Sequence, residues 1–317
     1  MSAMISGLAA VLVVILGLVG HRVYVRERRC QVPLDDQRWI LDGLDYLLRH
    51  LGGTEALRAR APFELPVEFD GGQGALSAEQ AAELFSLVKT QMGIAHWPCT
   101  LLREASVFEA NPALARAQAV YYADDEDVII NYRPEAEDDP RELVCIFAHE
   151  LSHYILDQIE EEGPGGEARD EELTDLCAIL TGFGAYTSDA ALRPVVDDGT
   201  RLRDVLRNPR EIRLSKLAYM SQSAMAFALA VVAGLRNDRK AAYRRLEIAP
   251  RVEFWRATHQ IYAHWLDEIE RLMEIDAYDV REQQVVLKRQ PPGRAAPEAP
   301  KKKRRRRRRP LRSQPER

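Results

Sequence analysis

Two histidines and three carboxylates lie at regular spacings near the middle of the chain. His149-Glu150-Leu151-Ser152-His153 is an HExxH sequence, and on a helix its two histidines lie one above the other on the same face. Both imidazoles can then bind one metal ion, with Glu150 about a quarter turn around the helix, beside the open coordination position. Eighteen residues after His153, Glu171 begins a Glu-x-x-x-Asp sequence that ends at Asp175. Two histidines and a distant glutamate are a three-ligand set for zinc, which leaves a fourth position for water.

The residues around the motifs predict two helices that meet. Asp138 and Asp139 before Pro140 are typical of a helix start. The apolar side chains of that helix form one stripe, roughly opposite the histidines, so we expect one face in the core and the histidines at a cleft. Gly163-Pro164-Gly165-Gly166 breaks the chain, and a second helix is predicted from about Asp170. The stripe consists of Val144, Phe147, Ala148, Leu151 and Ile155.

HExxH followed by Glu-x-x-x-Asp resembles the gluzincin zinc metallopeptidases, the thermolysin-like class, over roughly residues 149–175. The resemblance implies that His149, His153 and Glu171 bind Zn²⁺. It also implies that Glu150 is the general base for a zinc-activated water, and that Asp175 orients a ligand histidine. Zinc lowers the pKa of bound water from 15.7 toward about 7, and a neighbouring carboxylate can pass the proton to a leaving amine. More loosely, residues 149–154, 171–184 and 217–230 look like an uncharacterised group of bacterial HExxH proteins, which indicates no substrate.

Other assignments of these residues stay open. Two histidines on a helix can form an ordinary packed face, and adjacent acids such as Glu171 and Glu172 are commonly solvated. Glu171 is preferred as the ligand because it lies four residues before Asp175 and shares its helix face. An oxyanion in the transition state needs a further donor, which stays unassigned. The candidates for that donor are Tyr154, His259 and His264.

The chain from residue 31 to 287 predicts an α+β body that is mainly helical with a small sheet. Residues 119–122 and 127–132 predict two short strands, either an ordinary hairpin or, by the resemblance, a cleft wall that binds extended peptide by strand addition. Residues 35–50 and 77–92 predict helices, and residues 31–97 are a possible N-terminal helical subdomain. Residues 224–235 predict a buried core helix. The resemblance implies a zincin-like fold. The four cysteines form no C-x-x-C pair, which suits reduced, buried thiols.

The N-terminal segment Met4–Val25 predicts a single transmembrane anchor. Residues 4–20 are apolar or small and carry no charge, and extension to Val25 gives a helix of about 33 Å. No Lys or Arg precedes the segment, and no A-x-A-like site follows it, which favours an anchor over a signal peptide. Four arginines follow within residues 22–29, so the positive-inside rule predicts that the catalytic body faces the cytoplasm.

The C-terminal segment, residues 288–317, predicts a disordered polybasic tail. It holds 14 Lys or Arg against two Glu, which leaves 30 basic and 47 acidic residues in the rest of the chain. The run Lys301–Arg309 has nine consecutive cations, which repel one another and do not fold alone. An anionic lipid surface is the first predicted partner. Nucleic acid is the second, bound without base stacking because no aromatics interleave the run.

The sequence therefore predicts a membrane-anchored zinc metallopeptidase that hydrolyses peptide or protein substrates. Two alternatives belong to other classes. One is a catalytically silent zinc-binding interaction or regulatory protein on a gluzincin scaffold. The other is a nucleic-acid tether built around the tail. A Glu150→Gln substitution separates them, because only an enzyme would lose its effect through that change.

Overall fold

The computed structural model describes residues 29–70, 75–111, 117–123, 127–191, 193–195, 213–215 and 218–277. The predicted anchor Met4–Val25 and the tail 288–317 lie outside these residues. The described helices are α1 Leu34–His50, α2 Gly53–Ala59, α3 Val67–Asp70, α4 Ala78–Gln91, α5 Ser106–Ala110, α6 Pro140–Asp157, α7 Asp170–Ala178, α8 Gly184–Ala190, α9 Gln222–Leu235, α10 Arg239–Arg245, α11 Ile248–His264 and α12 Leu266–Met273. The strands are β1 Thr100–Arg103, β2 Ala119–Ala123, β3 Val128–Tyr132, β4 Arg193–Val195 and β5 Arg213–Ser215. Short 3-10 turns are Pro134–Asp138, Gly166–Arg169 and Glu274–Ala277, and a π-helical turn, Ile179–Phe183, joins α7 to α8. The chain is α+β and mainly helical, as predicted.

Helix α6 carries the HExxH motif and begins where the sequence predicts. The side chain of Asp139 accepts hydrogen bonds from the backbone N–H groups of Arg141 and Glu142, and Pro140 occupies the first turn. Every residue from Leu143 to Leu156 is buried. Other parts of the chain therefore cover α6 on all sides, the histidine face included.

The three-stranded sheet covers one side of α6. β3 is its central strand, paired in parallel with β1 and antiparallel with β2. The predicted pair of strands is confirmed as β2 and β3, with Tyr121 opposite Ile130. β1 was not predicted. β2 is an edge strand that packs against α6, so its outer edge lies beside the motif.

Helix α1 fixes the connection between the two motif helices. The indole Nε1 of Trp39 donates to the backbone oxygen of Pro164 at 2.8 Å, and the hydroxyl of Tyr46 donates to the backbone oxygen of Glu161 at 2.7 Å. Arg169, just before α7, pairs with Asp36 at 2.9 Å. These contacts hold the glycine-rich break in place, so α7 can return alongside α6.

One hydrophobic core joins α1, α4, α6, α7, α9 and α11, and residues 31–97 contribute to it together with the motif helices. The predicted buried helix at residues 224–235 is confirmed as α9, which packs against α8 and α11. The predicted helices at residues 35–50 and 77–92 are confirmed as α1 and α4. Within the described ranges, no helix combines the length and apolar character needed to cross a membrane.

Candidate metal centre

His149, His153 and Glu171 converge in the interior between α6 and α7. Nε2 of His149 lies 3.4 Å from Oε2 of Glu171, and Nε2 of His153 lies 3.3 Å from the same oxygen. One ligand atom from each residue lies within 4.8 Å of the other two. The histidines are 8% and 6% exposed, whereas the side chain of Glu171 is 30% exposed.

Two of the three donor atoms lack the partners that buried polar atoms normally have. Nε2 of His149 and Oε2 of Glu171 are both buried, and neither meets hydrogen-bond geometry with any described residue. Buried polar atoms are paired in the great majority of cases, so such orphaned atoms require an explanation. Two imidazole nitrogens and a carboxylate oxygen are the donor types that zinc prefers, and a cation between them would satisfy all three.

Asp175 contacts His149 on the ring nitrogen that faces away from Glu171. Its Oδ1 lies 3.1 Å from Nδ1 of His149, and its Oδ2 accepts backbone N–H groups from Tyr219 at 2.8 Å and Met220 at 3.0 Å. With Nδ1 donating to Asp175, the lone pair of His149 is left on Nε2, the atom that faces Glu171. The same carboxylate fixes the segment before α9 against the site.

Thr174 holds the second histidine, and the sequence analysis missed it. Its Oγ1 donates to the backbone oxygen of Asp170 at 2.8 Å and lies 3.2 Å from Nδ1 of His153. Because the hydroxyl proton is used on Asp170, the oxygen accepts from Nδ1–H of His153. The lone pair of His153 is therefore also left on Nε2. The available signal was the position of Thr174 between Glu171 and Asp175.

Burial and charge set the ionisation of the site residues. Burial alone would lower the pKa of His149, but the carboxylates of Asp175 and Glu171 outweigh it and raise that pKa well above 6.5. Burial would raise the pKa of Glu171, but its contacts with His149 and His153 outweigh it and lower that pKa.

Glu150 is buried beside the two histidines, 4% exposed. Burial raises the pKa of its carboxyl group, while His149, His153 and a hydrogen bond from the backbone of Tyr121 act against that rise. Glu150 therefore sits between the histidine pair and the edge of β2. A buried carboxyl group with a raised pKa is suited to accepting a proton and then giving it up.

Two tyrosine rings enclose the histidines. The ring of Tyr121 on β2 is stacked on His153, with centroids 6.1 Å apart. The ring of Tyr219 is stacked on His149 at 5.6 Å. Burial and the nearby carboxylates, Glu171 and Glu150 first among them, raise the pKa of Tyr219, so its hydroxyl keeps its proton.

None of the three candidate oxyanion donors from the sequence takes the place that Tyr219 has beside His149. The hydroxyl of Tyr154 donates to the backbone oxygen of Pro98 at 3.0 Å, and burial raises its pKa to about 12. His259 and His264 are exposed on α11. Tyr219 was not among the candidates. No helical or strand periodicity marks it, because contact with Asp175 brings it to the site.

The structure also separates the two adjacent acids. Glu171 lies with both histidines, whereas Glu172 is outside the group of convergent donors among the described residues. Burial and the charges of Asp175 and Glu171 raise the pKa of Glu172. The preference for Glu171, which rested on helix geometry, agrees with this arrangement.

Comparison with known proteins adds no identity. No family model matches the chain, no curated protein sequence is similar to it, and no solved structure matches it. The function therefore has to be argued from the geometry of the site.

Proposed function

We propose that this chain is a zinc-dependent peptidase of the gluzincin type, on a zincin-like body, with His149, His153 and Glu171 as ligands. One observation carries the proposal: three donor atoms converge, and two of them are buried without a hydrogen-bond partner in the described chain. Asp175 and Thr174 support it, because each contacts Nδ1 of a histidine and so makes Nε2 the nitrogen that can bind a metal in the neutral imidazole. Zinc, when bound, supplies Lewis acidity that makes water a nucleophile near neutral pH.

Glu150 acts as the general base in this proposal. It takes a proton from the attacking water as the oxygen of that water bonds to the carbonyl carbon of the substrate. The C–N bond then breaks, and Glu150 returns the proton to the departing amine. Its burial favours this role, since a carboxyl group with a raised pKa both accepts and releases a proton readily.

Tyr219 acts as a hydrogen-bond donor to the oxyanion that forms on the substrate carbonyl. The support is its place on His149 and the raised pKa that keeps its hydroxyl protonated. Donors fixed in place before the reaction lower the barrier because they need no reorganisation as charge develops.

The outer edge of β2 binds the substrate backbone in this proposal. β2 pairs only with β3 among the described strands, and the backbone of Tyr121 hydrogen-bonds to Glu150. An extended peptide can add to such an edge by main-chain hydrogen bonds. The peptide bond would then lie next to the proposed base.

The membrane anchor Met4–Val25, the cytoplasmic orientation and the lipid-binding tail Lys301–Arg309, with nucleic acid as the second partner, belong to the same proposal. They rest on sequence patterns outside the described residues. A silent zinc-binding protein remains the second candidate, favoured by the low exposure of the donors, since a substrate must reach them.

The first experiment is zinc content of the full-length chain, purified in detergent, alongside Glu171→Ala and the adjacent Glu172→Ala. We expect about one zinc per chain in the wild type and in Glu172→Ala, and a clear loss in Glu171→Ala. A folded wild type that takes up no added zinc would refute the proposal.

Activity is tested next with a mixed library of quenched fluorescent peptides and with Glu150→Gln. A peptidase should cleave part of the library, and Glu150→Gln should keep its zinc and lose turnover. If the wild type binds zinc and cleaves nothing, the silent zinc-binding alternative is favoured instead.

A further inference from the structure

A second cavity lies away from the donor set, between the π-helical turn, α8, α9 and α10. Its empty volume is about 350 Å³, part of it open to solvent. Its apolar walls are Pro62, Ile179, Ala185, Leu229, Val232, Ala233 and Ala242.

The mouth of this cavity is charged. Arg236, Asp238 and Arg245 line it together with the apolar walls. Nη2 of Arg245 pairs with Oε1 of Glu64 at 2.7 Å, while Nε of Arg236 lies 3.7 Å from Oδ2 of Asp238. A small pocket with apolar walls and a few convergent polar groups has the character of a ligand site.

One donor and one acceptor on these charged residues have no hydrogen-bond partner among the described residues. Nη1 of Arg245 and Oδ1 of Asp238 are both buried atoms that hydrogen-bond to no described residue. Each belongs to a charged group, for which an unsatisfied buried atom is especially costly. The two atoms need a guest that carries an acceptor for arginine and a donor for aspartate.

The helix is interrupted where the cavity forms. Ile179–Phe183 is a π-helical turn, and Gly182 within it has φ +113°, a backbone conformation that L side chains rarely adopt. A Cβ at Gly184 would lie 2.7 Å from Cδ1 of Leu229, so a side chain there would shift the cavity wall. π-helical turns occur frequently at functional sites.

We propose that this cavity binds a small aliphatic α-amino acid. Its carboxylate contacts Arg245, its ammonium group contacts Asp238, and its side chain enters the apolar space. Valine is a branched member of this class and carries both charges. A purely apolar guest would leave both orphaned atoms unsatisfied.

The binding test uses the full-length chain in detergent and three probes: L-valine, 3-methylbutanoate and isobutylamine. The second probe lacks the ammonium group and the third lacks the carboxylate. Ligand-observed NMR titration should show valine binding at least tenfold more tightly than either analogue, because each analogue leaves one charged atom unpaired. Equal affinity for all three, or no binding of valine at 10 mM, would overturn the proposal and leave the cavity as a water site.

Substitutions of residues that line the cavity test whether valine binds there. Arg245→Gln and Asp238→Asn should each weaken valine binding at least tenfold, whereas Arg244→Gln, an exposed neighbour on α10, should leave it unchanged. If either of the first two fails to fold, Ala242→Leu provides the second route, since it fills the apolar space and should abolish binding. Binding that survives Ala242→Leu in a folded protein would contradict the proposal.

The site is independent of the proposed peptidase. Glu150→Gln and Glu171→Ala should not alter valine binding by more than twofold. If the chain binds no zinc, the valine titration still tests the cavity. If valine does not bind, the zinc proposal is unaffected.

Discussion

Asp175 accepts a hydrogen bond from His149 with one carboxylate oxygen, at 3.1 Å, and binds the backbone N–H of Tyr219 with the other, at 2.8 Å. A single side chain thus sets the orientation of a proposed ligand and the position of the tyrosine that stacks on it. The proposed metal centre and the proposed oxyanion donor are therefore positioned by the same carboxylate.

Asp175→Asn should weaken zinc binding by about 10- to 100-fold, as expected when the carboxylate behind a ligand histidine is lost. An amide accepts a weaker hydrogen bond and can present its own N–H to the imidazole. Competition titration with a zinc chelator measures the change, and Glu172→Gln is the matched control on the same helix. An unchanged affinity in folded Asp175→Asn would contradict the role assigned to Asp175.

Thr174→Val should weaken zinc binding by about tenfold or more, because the valine has the same shape but cannot accept from Nδ1 of His153. Thr90→Val is the control, since Thr90 on α4 also donates to a backbone oxygen four residues before it and is exposed. Chelator competition on both variants gives the comparison. Equal affinities would show that the Thr174 contact does not orient the histidine.

Tyr219→Phe should lower kcat by about 10²- to 10³-fold and leave the zinc content unchanged, the effect of removing one oxyanion donor. The ring and its stacking on His149 are kept, so only the hydroxyl is tested. Tyr122→Phe on β2, where the side chain is 45% exposed, is the control. If Tyr219→Phe cleaves the same peptide with an unchanged kcat, Tyr219 is not the oxyanion donor. A change in KM alone would indicate that its hydroxyl binds the substrate instead.

Glu137 should make stability depend on pH. Its buried carboxylate accepts hydrogen bonds from Arg103 at 2.6 and 2.8 Å and from the hydroxyl of Tyr132 at 2.8 Å. The hydrogen bonds from Arg103, partly opposed by burial, lower the pKa of Glu137 below its ordinary 4.5. The ionised form therefore stabilises the folded protein above pH 4.5, and this contribution is lost as pH falls through the lowered folded-state pKa.

Glu137→Gln should accordingly lower Tm by about 3 °C or more at pH 7, with a difference from the wild type that shrinks below pH 4.5. Thermal unfolding between pH 3 and 7 measures it. Glu135→Gln, an exposed change in the same 3-10 turn, should follow the wild type throughout. A difference in Tm that is constant with pH would mean that the ionised carboxylate of Glu137 is not responsible.

Much of the local structure follows from short-range patterns. Asp139 and Pro140 predict the start of α6, because an aspartate cap and a proline satisfy or remove the free N–H groups of a first turn. The β-branched and aromatic residues within 119–122 and 127–132 predict β2 and β3. The spacing of His149 to His153 and of Glu171 to Asp175 names the candidate ligands before any packing is known, because helix geometry alone puts each pair on one face.

Tertiary structure decided what surrounds those ligands. Nothing local marks Tyr219, since its place depends on a hydrogen bond to a carboxylate 44 residues away in sequence. The role of Thr174 depends on which face of α7 meets His153, and β1 forms only because a parallel partner, β3, lies beside it. The helix pattern placed the histidines on one face of α6 and expected a cleft there, but it did not indicate that Tyr121 of β2 and Tyr219 would pack on that face. Periodicity reports which residues share a face of one element, whereas burial depends on what the rest of the chain packs against that face.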